Sequence, residues 1–388
     1  MKILQKTVIG DLAASNEQRT IISAFGINIL ERRRVLLGTA NISGGGGEGT
    51  AELQSIKNYF YLFKIPFFSN IQTFIAQRHA LGVVSDDSDF CNIGKYAIET
   101  NNLEDQTLKL CANLPEEDQQ FVIRQIALSK TARQTKKFYI PALTEKEFSD
   151  RIRLEKEFFP NIFKISEHLS FYKNYFLPIN HFEASVFFYK HNLPEMFPPK
   201  VLDKIRQKDI IDVGGFIGDS AIVFEREFCD KNIYSFEPTQ KNFALMQKTL
   251  ALNHSKRIIP IKKGLGQKNE TQTVSCAGSG SSILFNMSKE KESIEITTLD
   301  DFVAEKNVEI GFIKVDTEGF EQPFLVGAKQ TICTQKPALL ISIYHSGDDY
   351  FNIKPLIESW NLGYQMRIYK GTDFSLSVET ALYCYLPD

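Results

Sequence analysis

Hydrophobic positions change rhythm about halfway along the chain. From residue 209 onward, short apolar runs alternate with stretches of helical periodicity: DIIDVGG then IGDSAIVFEREF, NIYSFEP then QKNFALMQKTLALN, RIIPIKKG, EIGFIKVD then QPFLVGAKQTI, and PALLISIYH then YFNIKPLIESW. Unbroken apolar runs mark strands buried on both faces, and single helices between them imply right-handed crossovers in a parallel sheet. The last two runs, YQMRIYK and ALYCYLP, have no helix between them, which predicts a closing antiparallel hairpin. The fold class read from this pattern is α/β, a Rossmann-like and mostly parallel sheet.

Ahead of Val201 the pattern reads as mainly helical from about Ala51 to Lys200. Pro115 followed by Glu116, Glu117 and Asp118 marks a helix start, with Phe121, Val122, Ile126 and Leu128 as its apolar face. Thr144 and Glu147 have capping-box spacing before Phe148, Ile152 and Phe159. The aromatic, proline-punctuated stretch FYKNYFLPINHFEASVFFYKHNLPEMFPPK suggests a helical lid or packing collar. The expected organisation is a helical N-terminal region at 1–140, a helical lead-in or lid at 141–200 and an α/β domain at 201–388. Between Ser43 and Thr50, SGGGGEGT lacks a following Gly-Lys-Ser/Thr, so it reads as a flexible surface loop and not a phosphate cradle.

A chain of 388 residues exceeds what one hydrophobic core usually organises, in keeping with that division. The formal net charge of -2 supplies no overall attraction to nucleic acid or anionic lipid. No two of the six cysteines lie close enough for a zinc-ribbon or redox pair, so they read as reduced thiols. The opening MKILQKTVIGDLAASNE is too polar for a secretory signal and no apolar run suffices for a membrane span, so a cytoplasmic protein is expected.

In sheets of this kind, ligands bind beyond the carboxyl ends of the strands, where the first strand turns into its helix. That turn is Asp212-Val213-Gly214-Gly215-Phe216-Ile217-Gly218-Asp219. Gly214 and Gly215 permit a tight turn and close approach of a ligand to the backbone, while Gly218 lets strand and helix touch. The spacing differs from the dinucleotide fingerprint, and Asp212 and Asp219 would repel a pyrophosphate; they suit a ligand carrying an ammonium group. Glu237 ends the second strand, where a carboxylate can accept both ribose hydroxyls of an adenosine ligand.

These pieces resemble the FkbM family of S-adenosylmethionine-dependent methyltransferases. The matching segments are DVGGFIGDSA, SFEP, IKKGLG, GSGSS, TLDDF, FIKVDTEGFE and ISIYHSGDD, in that order. The resemblance covers about 200 residues and says little about residues 1–160. It implies a class I methyltransferase sheet and O-methylation of a sugar, glycan or small secondary metabolite, with S-adenosylhomocysteine as product. By matching position, Asp212, Gly214 and Gly218 would line the methionine end of the donor and Glu237 the ribose. Asp316 would stand at the reacting end of its strand. Phe216 departs from the family, where asparagine is frequent. Ser281 and Ser282 fall in the loop where adenine usually sits.

Methyl transfer from a sulfonium is an in-line displacement, so positioning of the acceptor oxygen supplies much of the rate, and a group that takes its proton helps. His345, at the end of PALLISIYH, is the first choice for that base, its unperturbed pKa lying near 6.5. Asp316 could serve as base, orient His345 or face the sulfonium. Lys314 shares a strand face with Asp316 and needs a carboxylate partner, or holds the acceptor. Glu318 and Glu321 open a helix, and Asp348 and Asp349 cap another, which needs no function. Asp316, Glu318, His345 and Asp348 could instead converge on magnesium, although no spacing demands it, and no metal is assigned. The competing readings are a catalytically silent module on the same sheet and a nicotinamide-dependent oxidoreductase. A homo-oligomer through the N-terminal region is compatible with the sequence.

Overall fold

The computed structural model describes residues 93–135, 144–275, 291–373 and 375–387, together with the backbone of five strands between residues 4 and 75. The chain divides into two compact units, one of Met1–Ser88 with Thr131–Lys146 and one of Asp89–Lys130 with Glu147–Asp388.

In the first unit, Leu4–Ile9, Glu17–Ala24, Ile27–Ser43, Thr50–Leu62 and Ile65–Ile75 pair consecutively as an antiparallel meander. The expectation of helix from Ala51 onward therefore fails over 51–62 and 65–75. Those segments carry Ile56, Tyr59, Phe60, Tyr61, Phe67 and Phe68, types that suit a pleated surface, and an antiparallel neighbour supplies the backbone hydrogen bonds. Ser43 pairs with Thr50, so the glycine run joins two strands; residues 44–49 lie outside the described residues.

The second unit holds a seven-stranded sheet. Its strands are β1 (Asp209–Val213), β2 (Ile233–Phe236), β3 (Ile258–Ile261), β4 (Ile310–Val315), β5 (Ala338–Ser342), β6 (Gln365–Tyr369) and β7 (Ala381–Tyr385). They run in the order β3-β2-β1-β4-β5-β7-β6. Only β7 is antiparallel to its neighbours, the hairpin that the pattern predicted. The crossovers include helices α1 (Asp219–Glu227), α2 (Gln240–Leu252), α3 (Leu299–Lys306), α4 (Glu321–Gly327), α5 (Lys329–Gln335) and α6 (Gly347–Glu358).

Alternation along each strand feeds two cores. Ile211, Val213, Ile313, Val315, Leu339 and Ile341 pack on one face with Phe351 and Ile357 of α6. Ile210, Phe312 and Leu340 pack on the other with Ile222 and Phe224 of α1. The first core also takes in Ile93, Leu110, Val122 and Ile126 from the helices Ile93–Glu99, Leu103–Cys111 and Glu116–Thr135. Helix 116–135 starts at its acidic triplet, as expected, but Asp118 does more than complement the dipole: it accepts from Arg367 Nε at 2.7 Å and from the Ile368 N–H at 3.0 Å, both on β6. The compact unit that holds this sheet begins at residue 89, whereas the change of hydrophobic rhythm lies near 201.

The lead-in corrects another expectation. Ile162–Ser166, Leu169–Tyr172 and Tyr175–Leu177 form a small antiparallel sheet in place of a helical lid. Tyr172 and Leu177 are fully buried among Phe158, Val186 and Phe187, and Lys173, at φ +52°, makes the tight turn into Tyr175. Among the described residues, no helix is long and apolar enough to cross a membrane.

Candidate active site

Strand order reverses between β1 and β4, since β2 and β3 lie on one side and β5 on the other, and this is where such sheets open a ligand crevice. A cleft lies there, lined by Val213, Gly214, Phe216, Glu237, Thr239, Asn242, Leu265, Val274, Ile294, Ile296, Asp316, Glu318 and Phe320. The chain turns out of β1 with Gly214 at φ +78° and Gly218 at φ +82°. A β-carbon on Gly214 would stand 1.7 Å from the Asp316 carbonyl oxygen, so only glycine fits between the ends of β1 and β4. Phe216 adopts φ +43°, a conformation that asparagine tolerates better, and its ring meets His181 edge-on at 5.1 Å.

Beneath this turn runs a row of buried polar side chains fixed by sheet register. Ser235, Asp212 and Lys314 are cross-strand neighbours on β2, β1 and β4. Ser235 Oγ donates to Asp212 Oδ2 at 2.6 Å, and Lys314 Nζ stands 3.4 Å from Asp212 Oδ1 while donating to the Gly214 carbonyl at 2.8 Å. Burial pushes the Asp212 carboxyl up, an effect that Lys314 and Ser235 oppose; burial also disfavours the Lys314 charge, but Asp212 and Asp316 outweigh it and hold the ammonium above its ordinary value. Asp212 and Lys314 therefore brace the glycine turn from below and do not line the cleft.

Glu237 does line it. Its Oε2 accepts the Phe216 N–H at 3.1 Å, and its Oε1 accepts the Thr239 N–H at 2.9 Å and hydroxyl at 2.5 Å. Burial nevertheless pushes this carboxyl up to about 7. Asp219, the first residue of α1, is buried and pushed up to about 7, first by desolvation and then by Glu183. Glu183 accepts from, or shares a proton with, His181 Nε2 at 2.8 Å. Nothing in the sequence singled out this pair, because only the small sheet of the lead-in brings 181–183 against Phe216. Apolar side chains also line the cleft: Val274, Ile294, Ile296 and Phe320 cluster there. Val274 and the two isoleucines come from strands Glu270–Ser275 and Lys291–Thr297, which pair antiparallel between β3 and α3. Ser281 and Ser282 lie outside the described residues.

The chain leaves β4 through Asp316-Thr317-Glu318-Gly319, with Glu318 at φ +56° and Gly319 at φ +96°. Asp316 and Glu318 thereby reach the cleft, and His345, three residues past β5, comes to meet them. His345 Nε2 stands 3.4 Å from Asp316 Oδ1 and 3.5 Å from Glu318 Oε2, and Nδ1 stands 3.0 Å from Glu321 Oε1. Burial works against a charge on this ring, but Glu321, Glu318 and Asp316 overcome it and push His345 up to about 10. The direction of the shift reflects three carboxylates gathered around one buried ring and favours a positive charge among them. Glu321 is fully buried and accepts from the Thr317 N–H and hydroxyl at 2.8 and 3.0 Å, more than the helix-dipole role read from its position. Asp348 is not part of the group: it accepts from Gln322 and Asn352. Helix α6 is capped by Ser346, whose Oγ accepts the Asp349 N–H at 2.9 Å.

Strand order, the glycine turn and the acidic end of β2 together define a class I, Rossmann-like methyltransferase domain. Residues 212–366 match the methyltransferase FkbM domain. Methyltransferase 1 of Beauveria bassiana (strain ARSEF 2860) is 23% identical over 174 residues, 39% of this chain and 70% of that protein. The crystal structure of methyltransferase FkbM from Methylobacillus flagellatus KT superposes with a TM-score of 0.46 at 17% identity, over 75% of this chain and 60% of that one. M. jannaschii TYW2, solved in complex with AdoMet, gives a TM-score of 0.31 at 10% identity, over 57% of this chain and 87% of its own. The chain therefore spans about 60% of the length of the Methylobacillus protein. Residues 212–366 are thus similar to the methyltransferase FkbM domain.

Proposed function

We propose that the protein is an S-adenosylmethionine-dependent O-methyltransferase acting on a hydroxyl of a sugar, glycan or small secondary metabolite. The observation that carries the reading is the cleft at the β1–β4 reversal, lined by Glu237 and by the apolar cluster of Val274, Ile294 and Ile296. A glycine that no β-carbon can replace and a carboxylate at the end of β2 fit an adenosyl donor. Glu237 would accept the ribose hydroxyls, the apolar cluster would cover adenine, and Asp219 with the Gly214–Gly215 backbone would face the methionine end. When bound, the donor supplies an electrophilic methyl carbon.

Lys314 and Asp212 keep the turn rigid, so the donor site is preorganised and not assembled on binding. Asp316 lines the cleft and accepts the acceptor hydroxyl's hydrogen bond, which aims the oxygen. His345 gathers Asp316 and Glu318 at Nε2 and Glu321 at Nδ1. The experiment is incubation with methyl-labelled S-adenosylmethionine and fractionated cell carbohydrate and metabolites, followed by mass spectrometry of labelled products. Donor binding measured by calorimetry, weakened in Glu237→Gln, with a new methyl ether in the product supports the reading. Binding without any labelled product would favour a silent module on the same sheet, and affinity for a nicotinamide dinucleotide would favour an oxidoreductase.

A further inference from the structure

His345 is almost completely buried, yet neither ring nitrogen makes a hydrogen bond of good geometry, and Asp316 Oδ1 and Glu321 Oε2 are likewise buried without a partner. Four bare polar atoms in one place are costly unless something charged sits among them. One ligand atom from each of Asp316, Glu321 and His345 lies within 4.8 Å of the others. We propose that these three residues hold a divalent transition-metal ion, of the zinc or manganese kind, beside the methyl-donor cleft.

The ring geometry argues for a cation there. Nδ1 faces Glu321, which Thr317 fixes through two hydrogen bonds, and Nε2 faces Asp316 and Glu318. A lone pair on Nε2 aimed at two carboxylates is repulsive unless a positive charge intervenes. On the Nε2 side a bare proton is a poor filler, because separations of 3.4 and 3.5 Å exceed those of charge-assisted hydrogen bonds, about 2.7–2.9 Å. The 3.4 Å between Nε2 and Asp316 Oδ1 matches the edge between neighbouring ligands of a tetrahedral ion with bonds of about 2.0–2.1 Å, which is roughly 3.3–3.4 Å. One imidazole with carboxylates suits zinc or manganese better than calcium or magnesium, which favour oxygen alone. Asp316 also lines the cleft, so an open coordination position would face it and could take an acceptor oxygen. The site stands on the side chains alone and does not depend on which acceptor is methylated.

The test uses the full-length protein stripped with a chelator and dialysed. Titration with Mn2+, followed through the free-ion electron paramagnetic resonance signal, should show one ion per chain, and Zn2+ should displace it. Electron spin-echo envelope modulation of the bound Mn2+ should show an imidazole nitrogen that disappears in His345→Asn. Asp316→Asn, which alters a partly exposed side chain, should weaken Mn2+ binding at least tenfold while keeping the circular dichroism of the wild type. Absence of stoichiometric Mn2+ and Zn2+ binding would overturn the proposal, as would binding that neither substitution changes. Because calorimetry with S-adenosylmethionine reads the neighbouring cleft separately, loss of one result leaves the other standing.

Discussion

At the scale of single residues, two buried charges carry opposite consequences. Lys314 is the cation on which Asp212 depends, and removing it leaves a carboxylate at 0% exposure with only Ser235 for support. Lys314→Met should therefore destabilise the protein by about 3–5 kcal/mol, the usual cost of stranding one member of a buried pair, as urea denaturation would measure. Glu237 works through pH. Its folded pKa, about 7, lies above the ordinary 4.5, so its neutral form is favoured by folding. That contribution to stability is complete below the unfolded value and fades as pH rises through about 7. Donor binding needs the anion, so affinity should run the other way, rising between about pH 6 and 8. Calorimetry across that range should show the rise, reduced but not abolished in Glu237→Gln, because Asp219 titrates in the same interval.

At the scale of elements, the glycine turn and the end of β4 are one device. The Gly214 N–H and the Gly215 N–H both donate to the Phe236 carbonyl, and the Asp316 N–H donates to the Val213 carbonyl, which locks three strand ends together. Gly214→Ala would push β1 and β4 apart and would strain a residue at φ +78°. Donor affinity should fall at least tenfold, with a lowered melting temperature by differential scanning calorimetry. The sequence made this turn legible because glycine spacing reports backbone conformation directly. It did not reveal the lead-in sheet, in which Phe, Tyr and Lys residues carry no period that distinguishes short strands from helix. Nor did it separate Asp212 from Glu237: both end a strand, and only the cross-strand position of Lys314 turns Asp212 away from the cleft.

At the scale of the molecule, the core of the catalytic unit includes Ile93, Leu110, Val122 and Ile126. Lys354 on α6 donates to the Ala112 carbonyl at 2.7 Å, and Tyr350 donates to Gln125 at 2.8 Å. A fragment of residues 89–388 should accordingly fold and bind the donor with near-wild-type affinity. A fragment of residues 201–388, cut where the hydrophobic rhythm changes, should expose that face and aggregate. Size-exclusion chromatography and circular dichroism of the two fragments distinguish these outcomes.

The sequence alone determined the parallel sheet, its closing hairpin, the glycine turn and the acidic end of β2. Each of these depends on local periodicity or on a backbone conformation that few residue types allow. Tertiary structure decided the burial of His345 among three carboxylates, the bracing role of Lys314 and the convergence of Glu321 with Asp316. Charge state and partnership depend on what surrounds a group once water is excluded, and those neighbours come from strands far apart in the chain.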